Sequence, residues 1–279
     1  MNEKIKAPPS SALRRNNVQV VGCGSDVLLY AHGFGCSQAM WSDITPAFAT
    51  SHRQVLFDYV GSGQSDPTAF DAKRYSRLDG YAQDLLEVCD ALGLQEDVTF
   101  VGHSVSCSIG ILASIARPKL FKKLVLIGPN PYFVNAPPDY IGGFEHRDLE
   151  ELLGLMEQNF IGWANYLAPV VAGADGSGEG TAAAKVASKL NASFCSTDPI
   201  MARTFAHATF FTDNRADLER IQAPCLILQN RQDNLAPLAV GDYLHQHLQG
   251  SSLRVLEVSG HCAHMSHPAL VIAAMQEFL

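Results

Sequence analysis

Six short stretches of the chain, residues 27–31, 54–58, 98–101, 124–127, 225–228 and 253–258, are mostly continuous apolar runs. They lack the apolar–polar alternation of a sheet with one wet face, so they predict strands covered on both sides. Between them, residues 81–92, 109–116, 240–248 and 268–279 place apolar side chains at helical spacing. Strands alternating with helices in this way predict an α/β fold with a mostly parallel, doubly wound sheet.

The rhythm stops between residues 129 and 218, where no strand pattern occurs and helical spacing recurs over 149–159, 163–171, 182–190 and 200–205. This predicts a helical lid of residues 131–218 inserted into a core formed by 1–130 and 219–279. Pro137-Pro138 and Gly142-Gly143 mark turns within it, and the glycine-rich run from Gly173 to Gly180 reads as a flexible connection. The lid is rich in aromatic residues. Phe133, Phe160, Trp163, Phe194 and Phe205 are expected to line an apolar pocket if the lid covers a site at the strand ends.

At 279 residues the chain is long enough for one large core with an insertion. Acidic residues outnumber basic ones, 28 to 20, and no Lys/Arg block offers a phosphate-binding face, which argues against a nucleic-acid partner. No apolar run approaches the roughly 18 residues of a membrane span, and residues 1–17 lack a signal-peptide pattern, so a soluble, cytoplasmic protein is expected. The seven cysteines are scattered, with no C-x-x-C pair, as expected of reduced thiols. Cys107 and Cys262, beside the candidate residues below, read as small packing residues.

Candidate chemistry begins at Gly102-His103-Ser104-Val105-Ser106, between the strand pattern of 98–101 and the helical pattern of 109–116. A serine on such a strand-to-helix turn has its hydroxyl pushed outward, and small neighbours let the turn form. Ser104 is therefore the candidate nucleophile, although Ser106 stands where the usual motif has glycine. A serine hydroxyl needs a base, and that base needs an orienting acid. His261, in Gly260-His261-Cys262 after the last strand, is the candidate base. Gly128-Pro129-Asn130 offers no carboxylate after the fourth strand pattern, whereas Asp233 follows the fifth and is the candidate acid. Asp213 and Asp217 precede their strand and read as solvated or capping residues.

His261, His264 and His267 also raise a metal reading. Gly260 and Pro268 imply a loop there and no acidic residue lies between the histidines, so neither a metal nor another cofactor is expected. The oxyanion donors would be the backbone N–H of Phe34, in His32-Gly33-Phe34-Gly35, and that of Val105. The Phe34 ring would wall the pocket, with His32 and His103 as hydrogen-bonding or wall residues. The run from Asp58 to Ser65 looks like a phosphate loop but lacks its lysine, and reads as a structural turn.

With these residues together, the chain resembles α/β-hydrolases and, among them, the RsbQ-type stress-response regulators of bacteria. The resemblance is carried by His32-Gly33-Phe34-Gly35-Cys36, Phe57-Asp58-Tyr59-Val60-Gly61-Ser62-Gly63, Gly102-His103-Ser104-Val105, Ile161-Gly162-Trp163-Ala164, residues 194–199 and residues 260–268. It spans the chain from about residue 17 to its end, lid included. The karrikin and strigolactone receptors of plants are similar more distantly, and Ser106 matches those receptors. The resemblance implies a four-helix cap over an apolar cavity, a Ser104-Asp233-His261 triad, and slow hydrolysis of a small apolar ester or lactone. It also implies a signalling role with a PAS-domain phosphatase or other PAS-domain protein as partner. Serine at the elbow excludes the dehalogenase and epoxide-hydrolase branches, which use aspartate there. A metabolic carboxylesterase or lactonase without a partner is the alternative.

Overall fold

The structure, a computed structural model, describes residues 11–174 and 180–279. Most of the connection read as flexible, and the N-terminal ten residues, lie outside the described residues. Seven strands, β1 (Gln19–Val21), β2 (Asp26–Ala31), β3 (His52–Leu56), β4 (Val98–His103), β5 (Phe121–Ile127), β6 (Cys225–Gln232) and β7 (Ser251–Ser259), form one sheet. Their order is β1-β3-β2-β4-β5-β6-β7, with β1 antiparallel to β3 and all other pairs parallel.

The continuous apolar runs are explained by two cores, one on each face of the sheet. Leu29, Phe100 and Ile227 enter one core, while their chain neighbours Leu28, Val101 and Leu228 enter the other, as the two-residue period of a strand requires. The short edge strand β1 carries no such signal, because all three of its residues are exposed. The second strand pattern shifts slightly: β3 ends at Leu56, and Phe57 and Asp58 already belong to the following loop.

Among the described residues, four α-helices lie between β5 and β6: His146–Gln158, Phe160–Ala172, Ala182–Ser196 and Pro199–Phe211. Each is longer than its apolar spacing suggests, and polar side chains cap the N-termini of the last three. Asn159 ends the first and starts the second, its side chain accepting from Gly162 N–H at 2.8 Å. Asp198 caps the fourth, with Pro199 at its first position. Asn130, just past β5, ties this segment to the core with all its side-chain capacity used. Its Nδ2 donates to Gly142 O and Leu235 O, and its Oδ1 accepts from Tyr132 N–H and Tyr140 O–H.

Candidate active site

The order in which strands join the sheet reverses between β2 and β4, which lie side by side and parallel with Ala31 opposite Gly102. Ligand sites in open α/β sheets form at such a switch point, beyond the carboxyl ends of the strands. Residues 32–35 leave β2 there, and the turn at Ser104 leaves β4.

Ser104 has φ 57° and ψ −124°, a conformation that residues with a Cβ rarely adopt. Its surroundings impose it: Ser104 N–H donates to Ile127 O at 2.9 Å, and Ser104 O accepts from Cys107 N–H at 2.8 Å. The helix Val105–Ala116 begins at the next residue. Neither Val105 N–H nor Phe34 N–H donates to any described group, so both are free to meet an anion at this turn. Gly33 is required for the approach of the two loops, since a Cβ there would lie 2.6 Å from His103 Nδ1.

Asp233 lies on the loop after β6 with its side chain fully buried. Oδ1 accepts from Leu235 N–H and Ala236 N–H at 2.8 and 3.0 Å, and Oδ2 accepts from His261 Nδ1 at 2.7 Å. A carboxylate can only accept, so the imidazole proton sits on Nδ1. The other nitrogen, Nε2, makes no hydrogen bond in the structure, and His261 and Ser104 line the same cavity. The group is thus set up as a base toward that cavity. Asp213 and Asp217 instead pair at the surface with Arg215 and Arg220.

The His261 loop and the Asp233 loop are both tied to the last turn of the second cap helix. His261 N–H donates to Val171 O at 2.8 Å, and Asn234 Nδ2, beside Asp233, donates to Val170 O at 3.2 Å. Gly173 and Gly260 meet backbone to backbone. A Cβ on Gly260 would stand 2.3 Å from Ala172 O, and one on Gly173 would stand 2.6 Å from Gly260 Cα.

Behind His261, the His103 ring lies 4.7 Å away and donates from Nε2 to His261 O at 3.1 Å. His264 follows at 4.4 Å from His103 and rests on Trp41 at 4.8 Å. Burial, followed by the neighbouring histidines, holds His103 well below its ordinary pKa. Burial and His261 push His264 down to about 3. Both rings are therefore neutral. His267 lies at the surface, away from the other two histidines of the metal reading, and the described residues contain no group of three or more metal-binding side chains.

The cavity is narrow, with a volume of about 30 Å³, room for one or two water molecules. Phe34, His103, Phe133 and Phe194 line it as the sequence suggests. Trp163 and Phe205 stand one layer back, packed on the Phe34 ring at 6.0 and 5.6 Å between centroids. Phe160 is a correction. It stacks on Trp163 at 5.4 Å and lines an open groove of about 660 Å³ between the cap helices and residues 72–76 of the core. The second cap helix explains this gradient: Val171 and Leu167 reach the cavity, and each earlier turn lies about 5.4 Å further along its axis.

Phe210, Leu190, Thr209, Leu235, Cys36 and Cys262 also line the cavity. Adjacency to Asp233 and His261 could have signalled Leu235 and Cys262, but nothing in the sequence marks Leu190 or Thr209. Burial pushes Cys36 up to about 12 and Cys262 well above the ordinary thiol range, so neither presents a thiolate. Cys107 is fully buried in packing, its thiol donating to Gly102 O. The run after β3 is a structural turn: the Asp58 carboxylate accepts from Gln38 N–H, Gln64 N–H and Asn17 Nδ2.

A family model described as the alpha/beta hydrolase fold matches residues 26–268. The chain belongs to the alpha/beta hydrolases. This hydrolase is 39% identical over 254 residues to the strigolactone esterase D14 of Arabidopsis thaliana, covering 91% of this chain and 92% of that protein. It is 36% identical over 261 residues to the karrikin insensitive 2 receptor CA of Petunia hybrida, covering 93% and 94% of the two chains. Among solved structures it is similar to a hydrolase from Oleispira antarctica, with TM-score 0.92, 44% identity, and 98% and 97% of the two chains covered. The plant receptors, read from the sequence as more distant relatives, are thus similar along nearly their whole length. Among the described residues, no helix is long and apolar enough to cross a membrane.

Proposed function

We propose that this hydrolase cleaves a small apolar ester or lactone through Ser104, His261 and Asp233, and that slow turnover makes it a signalling regulator of the RsbQ type. Ser104 Oγ adds to the carbonyl carbon while its proton passes to His261 Nε2, and Asp233 holds the imidazole that becomes charged. Phe34 N–H and Val105 N–H receive the oxyanion. His261 then protonates the leaving alkoxide, and water hydrolyses the acyl-serine by the same steps. Residues 131–218 act as the lid, placed on a core of 1–130 and 219–279.

The observation that carries this reading is the commitment of His261 Nδ1 to buried Asp233, which leaves Nε2 as the acceptor in the cavity of Ser104. The narrow aromatic enclosure supports slow ligand exchange, which suits a sensor. The names of the plant relatives, which join esterase and receptor, support a small ligand that is both hydrolysed and sensed. By the RsbQ resemblance that partner is a PAS-domain phosphatase or other PAS-domain signalling protein in the cytoplasm. The similarity to a bacterial hydrolase keeps a second reading, a metabolic carboxylesterase or lactonase acting alone.

The decisive variant is Ser104→Ala, assayed on p-nitrophenyl acetate. Turnover should fall on the order of 10⁴ to 10⁶-fold, and retained activity overturns the reading. Slow turnover with a co-purifying PAS-domain protein supports the regulator, and fast turnover with no partner supports the metabolic enzyme.

A further inference from the structure

We propose that Ser106, with Tyr59 and His32, is a positioning set that fixes the Phe34 N–H donor relative to the nucleophile elbow. The inference rests on the assignment of Ser104 as nucleophile. Ser106 stands where the usual elbow has glycine. It is fully buried and does not line the cavity, so it does not meet a ligand.

Its hydroxyl links two loops instead. Ser106 Oγ donates to the backbone carbonyl of His32 at 2.5 Å. Since a serine has one proton, the 3.0 Å contact with Tyr59 OH must run the other way, with the phenol donating to Ser106 Oγ. Tyr59 then returns to the same histidine: its backbone N–H donates to His32 Nε2 at 3.1 Å. This leaves the His32 proton on Nδ1, where it donates to Gly33 O at 2.9 Å. The carbonyl of His32, its ring and the carbonyl of Gly33 are therefore all held by one buried network.

The next N–H but one after His32 is that of Phe34. The network starts on the second residue of the helix that begins with Val105, the other donor. It thus sets the distance between the two donors, and glycine at 106 would leave the His32 carbonyl without this bond and the Tyr59 hydroxyl without an acceptor. Burial keeps the Tyr59 phenol far above its ordinary pKa, so it remains a donor at every working pH.

The test compares Ser106→Ala, Ser106→Gly and Tyr59→Phe with the natural chain on p-nitrophenyl acetate. Each is also titrated with a trifluoromethyl ketone bearing a small acyl group, which forms a tetrahedral oxyanion on serine. A displaced donor should lower kcat by roughly 10 to 100-fold for the Ser106 variants and less for Tyr59→Phe, with KM changed by no more than about threefold. The ketone should bind more weakly by the same factor as kcat/KM falls, because both report stabilisation of the oxyanion. A purely structural role predicts a lower melting temperature with ketone affinity unchanged, and that result overturns the proposal, as does kcat within twofold of the natural chain. If the Ser106 variants do not fold, Tyr59→Phe decides alone, since it removes one oxygen and leaves the bond from Ser106 to His32. Ser104→Ala serves as the control: activity in that variant refutes the nucleophile itself, whereas an inactive Ser104→Ala beside unaffected Ser106 variants refutes only the positioning role.

Discussion

Replacing Asp233 by asparagine tests the proposed proton path because the surrounding hydrogen bonds dictate how the amide must turn. Three N–H groups point at the carboxylate: Leu235 N–H and Ala236 N–H on Oδ1, and His261 Nδ1–H on Oδ2. An asparagine can present its oxygen to only one side. Facing the two backbone donors keeps two bonds and sets the NH₂ against His261. The opposite orientation sets the NH₂ against both backbone donors, at about 1–3 kcal/mol for each buried group left unsatisfied. The first orientation therefore wins, and His261 must turn Nδ1 into an acceptor by moving its proton to Nε2. A protonated Nε2 cannot take the proton of Ser104. The expected loss in kcat is roughly 10⁴-fold, or about 5.5 kcal/mol of barrier. Steady-state hydrolysis of p-nitrophenyl acetate measures it, with a thermal melt in parallel. Because two of the three bonds survive, the melting temperature should stay within a few degrees. Activity within tenfold of the natural chain would refute the tautomer argument, and so would a loss explained by unfolding.

Other expectations follow from the same geometry. Asp213→Asn should leave kcat within about twofold, since Asp213 pairs with Arg215 at the surface; a large loss would transfer the acid role to that residue. Stability should fall as pH drops below the ordinary histidine value of 6.5, because folding keeps His103 and His264 neutral while the unfolded chain takes up their protons. This contribution is complete above about pH 6.5 and is lost toward acid, for His264 down to about pH 3, at about 1.4 kcal/mol per pH unit for each histidine. Urea midpoints at pH 7 and pH 5 read the slope, and His264→Phe should reduce it by one proton's share; an unchanged slope in that variant contradicts the buried neutral ring. Gly260→Ala forces a Cβ 2.3 Å from Ala172 O at φ +87° and should lower kcat by at least tenfold as the His261 loop shifts. Wild-type kinetics in that variant would show that the contact does not govern the base.

Much of this architecture was legible because burial on both faces writes itself into a strand as an unbroken apolar run. The edge strand β1 was not, since Gln19, Val20 and Val21 are exposed and paired on one side only. The positions of Ser104, Asp233 and His261 could be read from turns that end strands. The lining of the cavity could not, because it depends on how far along a cap helix each side chain lies: Val171 and Phe160 share a helix and face different cavities. Asn130 was read only as an absent carboxylate, whereas its four hydrogen bonds join residues up to 105 positions apart.

The contact between Gly173 and Gly260 also bears on exchanging caps between relatives. It joins the end of an inserted helix to the residue before His261, across a gap that admits no side chain. A cap transplanted from another hydrolase would have to arrive with a matching bare backbone at its last turn, or the recipient would need its loop recut to receive it. Such a chimera would be expected to fold and yet misplace its own base, so the two glycines are best moved as one unit.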